Sequence, residues 1–246
     1  MKLSNQDIFA SSMPPIVTAT RSTVASQVYQ TIRENIINLR LVPGMSMSEH
    51  EMSSTLGVSR TPVREAFIRL SREGLIIIYP QRCTVVSKIS LERVIQERFL
   101  RESLERSVLE TFILSPTEAG FARMQEQIDV QRRCLETQDY ETFLSSDDRF
   151  HFTMYEETGN QLCSQIIRRN CHDYQRLRVL SSKVNQEIQL LNIEQHELIL
   201  DAIHERNVLK AQELLCKHVR RLLSEIEMLR SVYPDYITET NDVLSK

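Results

Sequence analysis

LGVSRTPVREAFIRL, residues 56–70, places two demands on one short helix. Val63, Ala66, Phe67 and Leu70 recur at i, i+3, i+4 and i+7, the spacing of a core-facing stripe. Gly57 ends whatever precedes it, Ser59 can cap the new helix, and Pro62 falls in the first turn, where its missing N–H costs nothing. Gly74 follows as a C-terminal stop. The opposite demand comes from Arg60 and Arg64, one turn apart near the same helix start. Both are met if the N-terminal end protrudes. A positive helix terminus carrying Ser59, Arg60, Thr61 and, one turn on, Arg64 suits phosphates and base edges.

The flanking sequence completes a plan. A helix over about 23–39 carries Val24, Val28, Ile32, Ile36 and Leu39 on one stripe. Pro43-Gly44 breaks it, and Ser48 opens a short helix with Glu49 and Glu51 in its first turn. After Gly74 come two β-prone runs, Leu75–Tyr79 and Thr84–Val86, with PQRC between them. Helix, turn, helix and hairpin is the plan of a winged helix-turn-helix, whose second motif helix enters the major groove of DNA. The bland alternative is a small helical domain with an ordinary solvated basic face.

Charge weighs against that alternative. The net charge of 246 residues is −3, but its distribution is uneven. Between Arg21 and Ser90 nine Lys/Arg face five Glu; from Leu91 onward twenty face twenty-seven acids. A basic module joined to an acidic one fits a nucleic-acid partner for the first half only. Five glycines, no tryptophan and 6% aromatic residues favour a mainly α chain. The five cysteines have no CxxC spacing and read as reduced thiols, and the longest apolar runs, such as 75–79, are too short to span a bilayer. The start lacks a secretory pattern. Together these predict a cytoplasmic protein with no membrane partner.

From Ser90 the pattern is helical: about 90–113, 117–136, 139–157, 161–182, 186–206 and 208–230. Asp147 and His151 stand at i and i+4 and so share a helix face, which Asp148 misses by about 100°. His196 and His218 lie on successive later helices. A carboxylate with imidazoles suits a borderline divalent ion such as zinc, nickel or manganese. Spacing alone leaves the alternative of satisfied core or surface histidines open. A metal-dependent hydrolase would need a separate acid–base group, and the sequence offers no nucleophile elbow or phosphate-cradling loop.

Residues 24–86, above all VSRTPVREAFIRL and the following PQRCTVV, resemble the GntR family of bacterial transcription factors. That resemblance implies DNA contacts by Ser59, Arg60, Thr61 and Arg64, with Gln81 and Arg82 at the wing. Cys83 stands where relatives commonly carry glycine, a departure that matters if the turn needs positive φ there. Residues 89–226 resemble the FCD-type ligand-binding domain of the FadR-like branch, an all-helical bundle. RESLE at 101–105, TGN at 158–160 and EQHELILDAI at 194–203 carry this second likeness. It implies a metal held by Asp147, His151, His196 and His218, zinc foremost, and an effector cavity lined by Arg101, Arg176 and Arg178. Glu105 matches a family position as well, with an ion pair as its simplest role.

The expected organisation is a flexible extension (1–20), a winged helix-turn-helix domain (21–88), an all-helical metal- and effector-binding domain (89–232) and a C-terminal tail (233–246). The expected function is that of a homodimeric, non-enzymatic regulator. It would bind a palindromic double-stranded operator, with its affinity controlled by a small organic acid. The alternative retained is a purely structural metal with no effector response.

Overall fold

The computed structural model describes Met13, residues 23–184 and residues 186–239. They divide into two compact units: Met13, 23–92 and 233–239 in one, and the rest of the described residues from 93 to 232 in the other. The fold is mainly α, as the sequence predicts.

In the first unit, α1 (Val24–Ile37), α2 (Glu49–Leu56) and α3 (Arg60–Arg72) surround a small core, with α3 packed on both α1 and α2. The Thr23 hydroxyl accepts from Ser26 N to start α1. Ser48 and Glu51 form a reciprocal capping box at α2, so two backbone donors at that helix end are satisfied at once. Gly57 ends α2 in the left-handed region at φ 66°, where a Cβ is disfavoured. The predicted stripe of α3 is the buried one: Val63, Ala66, Phe67 and Leu70 are all 2% exposed or less.

A three-stranded sheet closes this unit. β1 (Ser46–Met47) and β2 (Ile76–Tyr79) flank β3 (Cys83–Val86), both antiparallel to it, with Ser46 opposite Val85 and Tyr79 opposite Cys83. The hairpin is the expected wing. Its left-handed residue is Gln81, at φ 59°, while Cys83 sits in the extended strand. The cysteine-for-glycine departure therefore asks nothing unusual of the backbone.

Two features differ from expectation. Most of the extension 1–20 lies outside the described residues, but Met13 is 1% exposed and belongs to this core. The segment after 232 contributes β5 (Ile237–Thr238), which pairs in parallel with β4 (Ile89–Ser90).

The second unit is helical. It comprises α4 (Leu91–Leu114, from Arg93), α5 (Glu118–Thr137), α6 (Tyr140–Glu157), α7 (Gln161–Asn170), α8 (His172–Val184), α9 (Gln186–His204), α10 (Val208–Ser224) and α11 (Ile226–Val232). α5 packs on α6 and α9, α9 on α10 and α8, and α8 on α6 and α10, which leaves the inner faces of these helices turned toward one another. Gly120 is helical for a packing reason: a Cβ there would lie 2.9 Å from the buried Phe112 ring.

Two helices read as continuous from sequence are in fact split. The 161–182 stretch breaks at Cys171, because the Glu97 carboxylate accepts from Asp173 N and Tyr174 N, both at 2.8 Å, and caps a new helix there. The cap comes from a residue far off in sequence, so the local pattern gives no sign of it. The 208–230 stretch breaks at Glu225, whose carboxylate is engaged by Ser181 and Arg221.

Candidate metal centre and nucleic-acid interface

In the second unit α6, α9 and α10 bring Asp147, His151, His196 and His218 to one point. All four are buried, and one potential ligand atom from each lies within 4.8 Å of every other. The Nε2 atom of His151 is 3.3 Å from Nε2 of His196 and 3.3 Å from Nε2 of His218. The Asp147 oxygens approach from one side, 3.6 Å from His196 Nε2 and 3.8 Å from His151 Nε2. Asp148, one residue on, is not part of the group and instead accepts from Arg178 at 2.7 Å.

The outer nitrogen of each ring faces an oxygen. His196 Nδ1 lies 3.0 Å from Gln131 Oε1 on α5, and His218 Nδ1 lies 2.9 Å from Gln195 Oε1 on α9. His151 Nδ1 is 3.0 Å from Glu105 Oε2 on α4, and the other Glu105 oxygen accepts from Arg101 Nε at 2.6 Å. Phe150 stacks on His196, with 4.2 Å between ring centroids, and fixes its plane.

Electrostatics keep His196 and His218 neutral and the carboxylates charged. Burial is the largest influence on His196 and pushes it down to about 3; Asp147 opposes that shift, while His151 and Arg178 add to it. Burial, then the neighbouring imidazoles, depresses His218 as well. Burial works against ionising Asp147, but Arg178 and then the three rings outweigh it and hold the carboxyl well below the usual range. Glu105, despite full burial, is pulled down to about 2 by Arg101 and His151. Neutral imidazoles and an ionised carboxylate are the protonation states that bind a metal.

The donor set fits a divalent cation. Three Nε2 atoms at van der Waals range, in rings whose other nitrogens face acceptors, oppose their lone pairs unless something positive lies between them. Two imidazole nitrogens bound at about 2.0–2.1 Å to one ion in tetrahedral array are about 3.3 Å apart, as they are in this cluster.

A cavity of about 20 Å³, enough for roughly one water, adjoins the cluster. Its lining includes Asp147, His218, Arg101 and Arg178, and also Arg221, Asn192, Ser181 and Ser182. Arg178 spans Asp147 and Asp148. Of the arginines expected around an effector, Arg101 and Arg178 stand at this cavity. Arg176 does not: it is fully buried and paired with Asp173, which also contacts His172 at 2.9 Å. Arg221, which reaches Asn192 Oδ1 at 2.7 Å, had no sequence signal beyond an ordinary basic position. His204 lies outside the cluster and stacks on Phe121.

In the first unit Ser59, Arg60, Thr61 and Arg64 are all exposed at the start of α3. Ser59 occupies the cap position without using its side chain there, so its hydroxyl is not tied to the helix it begins. Gln81 and Arg82 are exposed at the wing turn, which is closed by Arg82 N donating to Tyr79 O at 3.1 Å. Among the described residues no helix is long and apolar enough to cross a membrane.

Residues 24–86 match the bacterial regulatory proteins of the gntR family, and residues 98–221 match the FCD domain. Over 216 residues the chain is 30% identical to the HTH-type transcriptional repressor RspR of Escherichia coli K12, covering 88% of this chain and 94% of that protein. An HTH-type transcriptional regulator from an unstable DNA locus of Streptomyces ambofaciens is also 30% identical, over 208 residues, covering 85% of this chain and 87% of that one. Among solved structures, E. coli McbR/YncC shares the fold with a TM-score of 0.72 at 20% identity, covering 86% of this chain and 99% of its own. The chain belongs to the GntR family of bacterial transcriptional regulators and pairs the family's DNA-binding domain with an FCD domain.

Proposed function

We propose that this protein is a one-component, cytoplasmic transcriptional regulator whose operator affinity is set by a small carboxylate bound beside a metal ion. The observation that carries the reading is the convergence of Asp147, His151, His196 and His218 on one buried point beside a cavity lined by three arginines, Arg101, Arg178 and Arg221.

The ion, zinc foremost with nickel or manganese as the other fits, would supply Lewis acidity toward an anionic oxygen. Asp147 and the three imidazoles hold it. Arg178 keeps Asp147 ionised and orients it, while Arg101 steadies Glu105 behind His151. Arg101 and Arg178 are the cationic partners for the carboxylate, since a guanidinium fork matches two oxygens. Arg176 acts as a structural ion-pair partner for Asp173.

On the DNA side, Arg60 and Arg64 read base edges, Ser59 and Thr61 take phosphates, and Gln81 and Arg82 add wing contacts. A homodimer places two such helices on a palindromic site. A coupling of about 1–3 kcal/mol between the two functions suffices for a switch.

A second reading, a structural ion with no effector, draws on the small size of the cavity, about 20 Å³. One experiment separates the two. Operator DNA from upstream of the gene is titrated with zinc-loaded protein, with and without a panel of small carboxylates, and read by fluorescence anisotropy. A several-fold change with one acid supports the sensing reading. Tight binding that no acid alters supports the structural one, and absence of any specific DNA binding removes both.

A further inference from the structure

Beyond the four ligand candidates, the amides that face their outer nitrogens stand out. We propose that Gln131 and Gln195 are positioning residues that fix the tautomers of His196 and His218, so that the cluster presents bare nitrogens to a divalent cation. This rests on reading Asp147, His151, His196 and His218 as a cation site.

A neutral imidazole carries a single N–H. An amide oxygen can only accept, so Gln131 Oε1, 3.0 Å from His196 Nδ1, and Gln195 Oε1, 2.9 Å from His218 Nδ1, draw that proton outward. The Nε2 atoms, which converge at 3.3 Å, are then left as lone pairs. Without an acceptor each ring would populate both tautomers, and one of them points a proton at the ion's place. Partners of this kind are general determinants of metal affinity.

The arrangement also links separate helices. Gln131 is fully buried on α5 and clamps a ligand of α9; Gln195, adjacent to His196 on α9, clamps the ligand of α10. His151 Nδ1 instead faces the Glu105 carboxylate at 3.0 Å, whose charge is answered by Arg101 at 2.6 Å. Two neutral amides and one neutralised carboxylate orient the rings without adding net negative charge. The positive charge of a bound ion is therefore preserved for an anion in the cavity.

The test uses full-length protein and metal alone. Gln131→Leu and Gln195→Leu are compared with the wild type in zinc competition against a chelating dye and in the visible d–d absorption of the cobalt(II)-loaded protein. Each should weaken zinc by about 10–100-fold and shift the cobalt bands. Gln131→Glu and Gln195→Glu, which keep an acceptor, should restore both. Wild-type affinity and spectrum in the two leucine variants would overturn the proposal and leave the cation site standing. No uptake of either metal by the wild type would remove the cation site and the proposal together. Gln195 is only half-buried, so if Gln131→Leu loses its far-UV circular dichroism, the Gln195 pair decides alone.

Discussion

His151 Nε2 and His196 Nε2 face each other at 3.3 Å across 45 residues of sequence, both rings fully buried. Two imidazoles brought this close on α6 and α9 gain little from each other and much from a shared cation. Their mutual approach makes the site testable by loss of a single ring.

Substituting His196 by Ala should strip the ion. The three donors that remain include His218, 8% exposed at the cavity edge, and retain less of the binding energy. Elemental analysis after dialysis should give close to one equivalent for the wild type and a small fraction of that for the variant. Adding a chelator to the wild type should lower its melting temperature, by an amount equivalent to about 2.7 kcal/mol if free zinc had stood at a hundred times its Kd. Equal metal content in both proteins would show that these rings are core residues and nothing more.

Arg178→Ala tests a different link, the ion pair with Asp147. Removing one partner of a buried pair leaves the other charge uncompensated, a loss of about 3–5 kcal/mol in metal-free protein. The effect should shrink when zinc is present, because the ion then answers Asp147. For contrast, Arg123→Ala breaks pairs with Glu156 and Glu157 that leave the arginine 41% exposed, and it should cost about 0–1 kcal/mol. Urea denaturation of the three proteins, with and without zinc, separates these expectations; similar losses for both arginine variants would contradict the assignment.

Exposure at the start of α3 allows the DNA side to be probed without disturbing the fold. Arg60→Ala and Arg64→Ala should leave thermal stability within about 0.5 kcal/mol of the wild type, as surface changes generally do. Each should weaken operator binding by about 1–3 kcal/mol if it contacts a base edge. Wild-type affinity should also fall steeply between low and moderate salt, as counterion release requires. Unaltered binding by both variants, measured on the same operator, would move the recognition surface elsewhere.

Local chemistry explains which parts of this molecule were readable in its sequence. The α3 stripe of Val63, Ala66, Phe67 and Leu70 was legible because the packing of one short helix depends on spacing alone. The Asp147–His151 face was legible for the same reason, whereas the meeting with His196 and His218 depends on how three helices pack and came only from family likeness. Gln131 and Gln195 carry no distinguishing spacing, and an amide becomes a tautomer clamp only when a ring is beside it. The break at Cys171 needed Glu97, and β1 is two residues long, shorter than any pattern can reveal. Arg176 and Arg178 looked equivalent in YQRLR, yet a two-residue step on a helix turns them about 200° apart. One reaches Asp147 and the other Asp173.

The buried rings also set an acid limit on the second unit. His196 is pushed down to about 3 in the folded protein, against an ordinary value near 6.5, and His218 is depressed too. Between those two pH values the unfolded chain takes up protons that the folded chain refuses. Stability therefore rises with pH there: it is complete above about 6.5 and drains away as pH falls toward 3. The slope for each histidine approaches about 1.4 kcal/mol per pH unit. Glu105, depressed to about 2 from 4.5, adds a loss of the same sign only below about pH 4.5. Above about pH 4.5 it is the histidines that lose stability with acid, while Glu97, raised by burial, acts in the opposite sense. Urea titrations of chelator-treated protein at pH 7, 6 and 5 should show unfolding free energy falling across that range. His196→Asn should flatten that fall, because a side chain that does not titrate takes up no proton on unfolding. A wild-type profile level from pH 7 to 5 would mean that the folded chain takes up protons as readily as the unfolded one, and would contradict the depressed titration of His196 and His218.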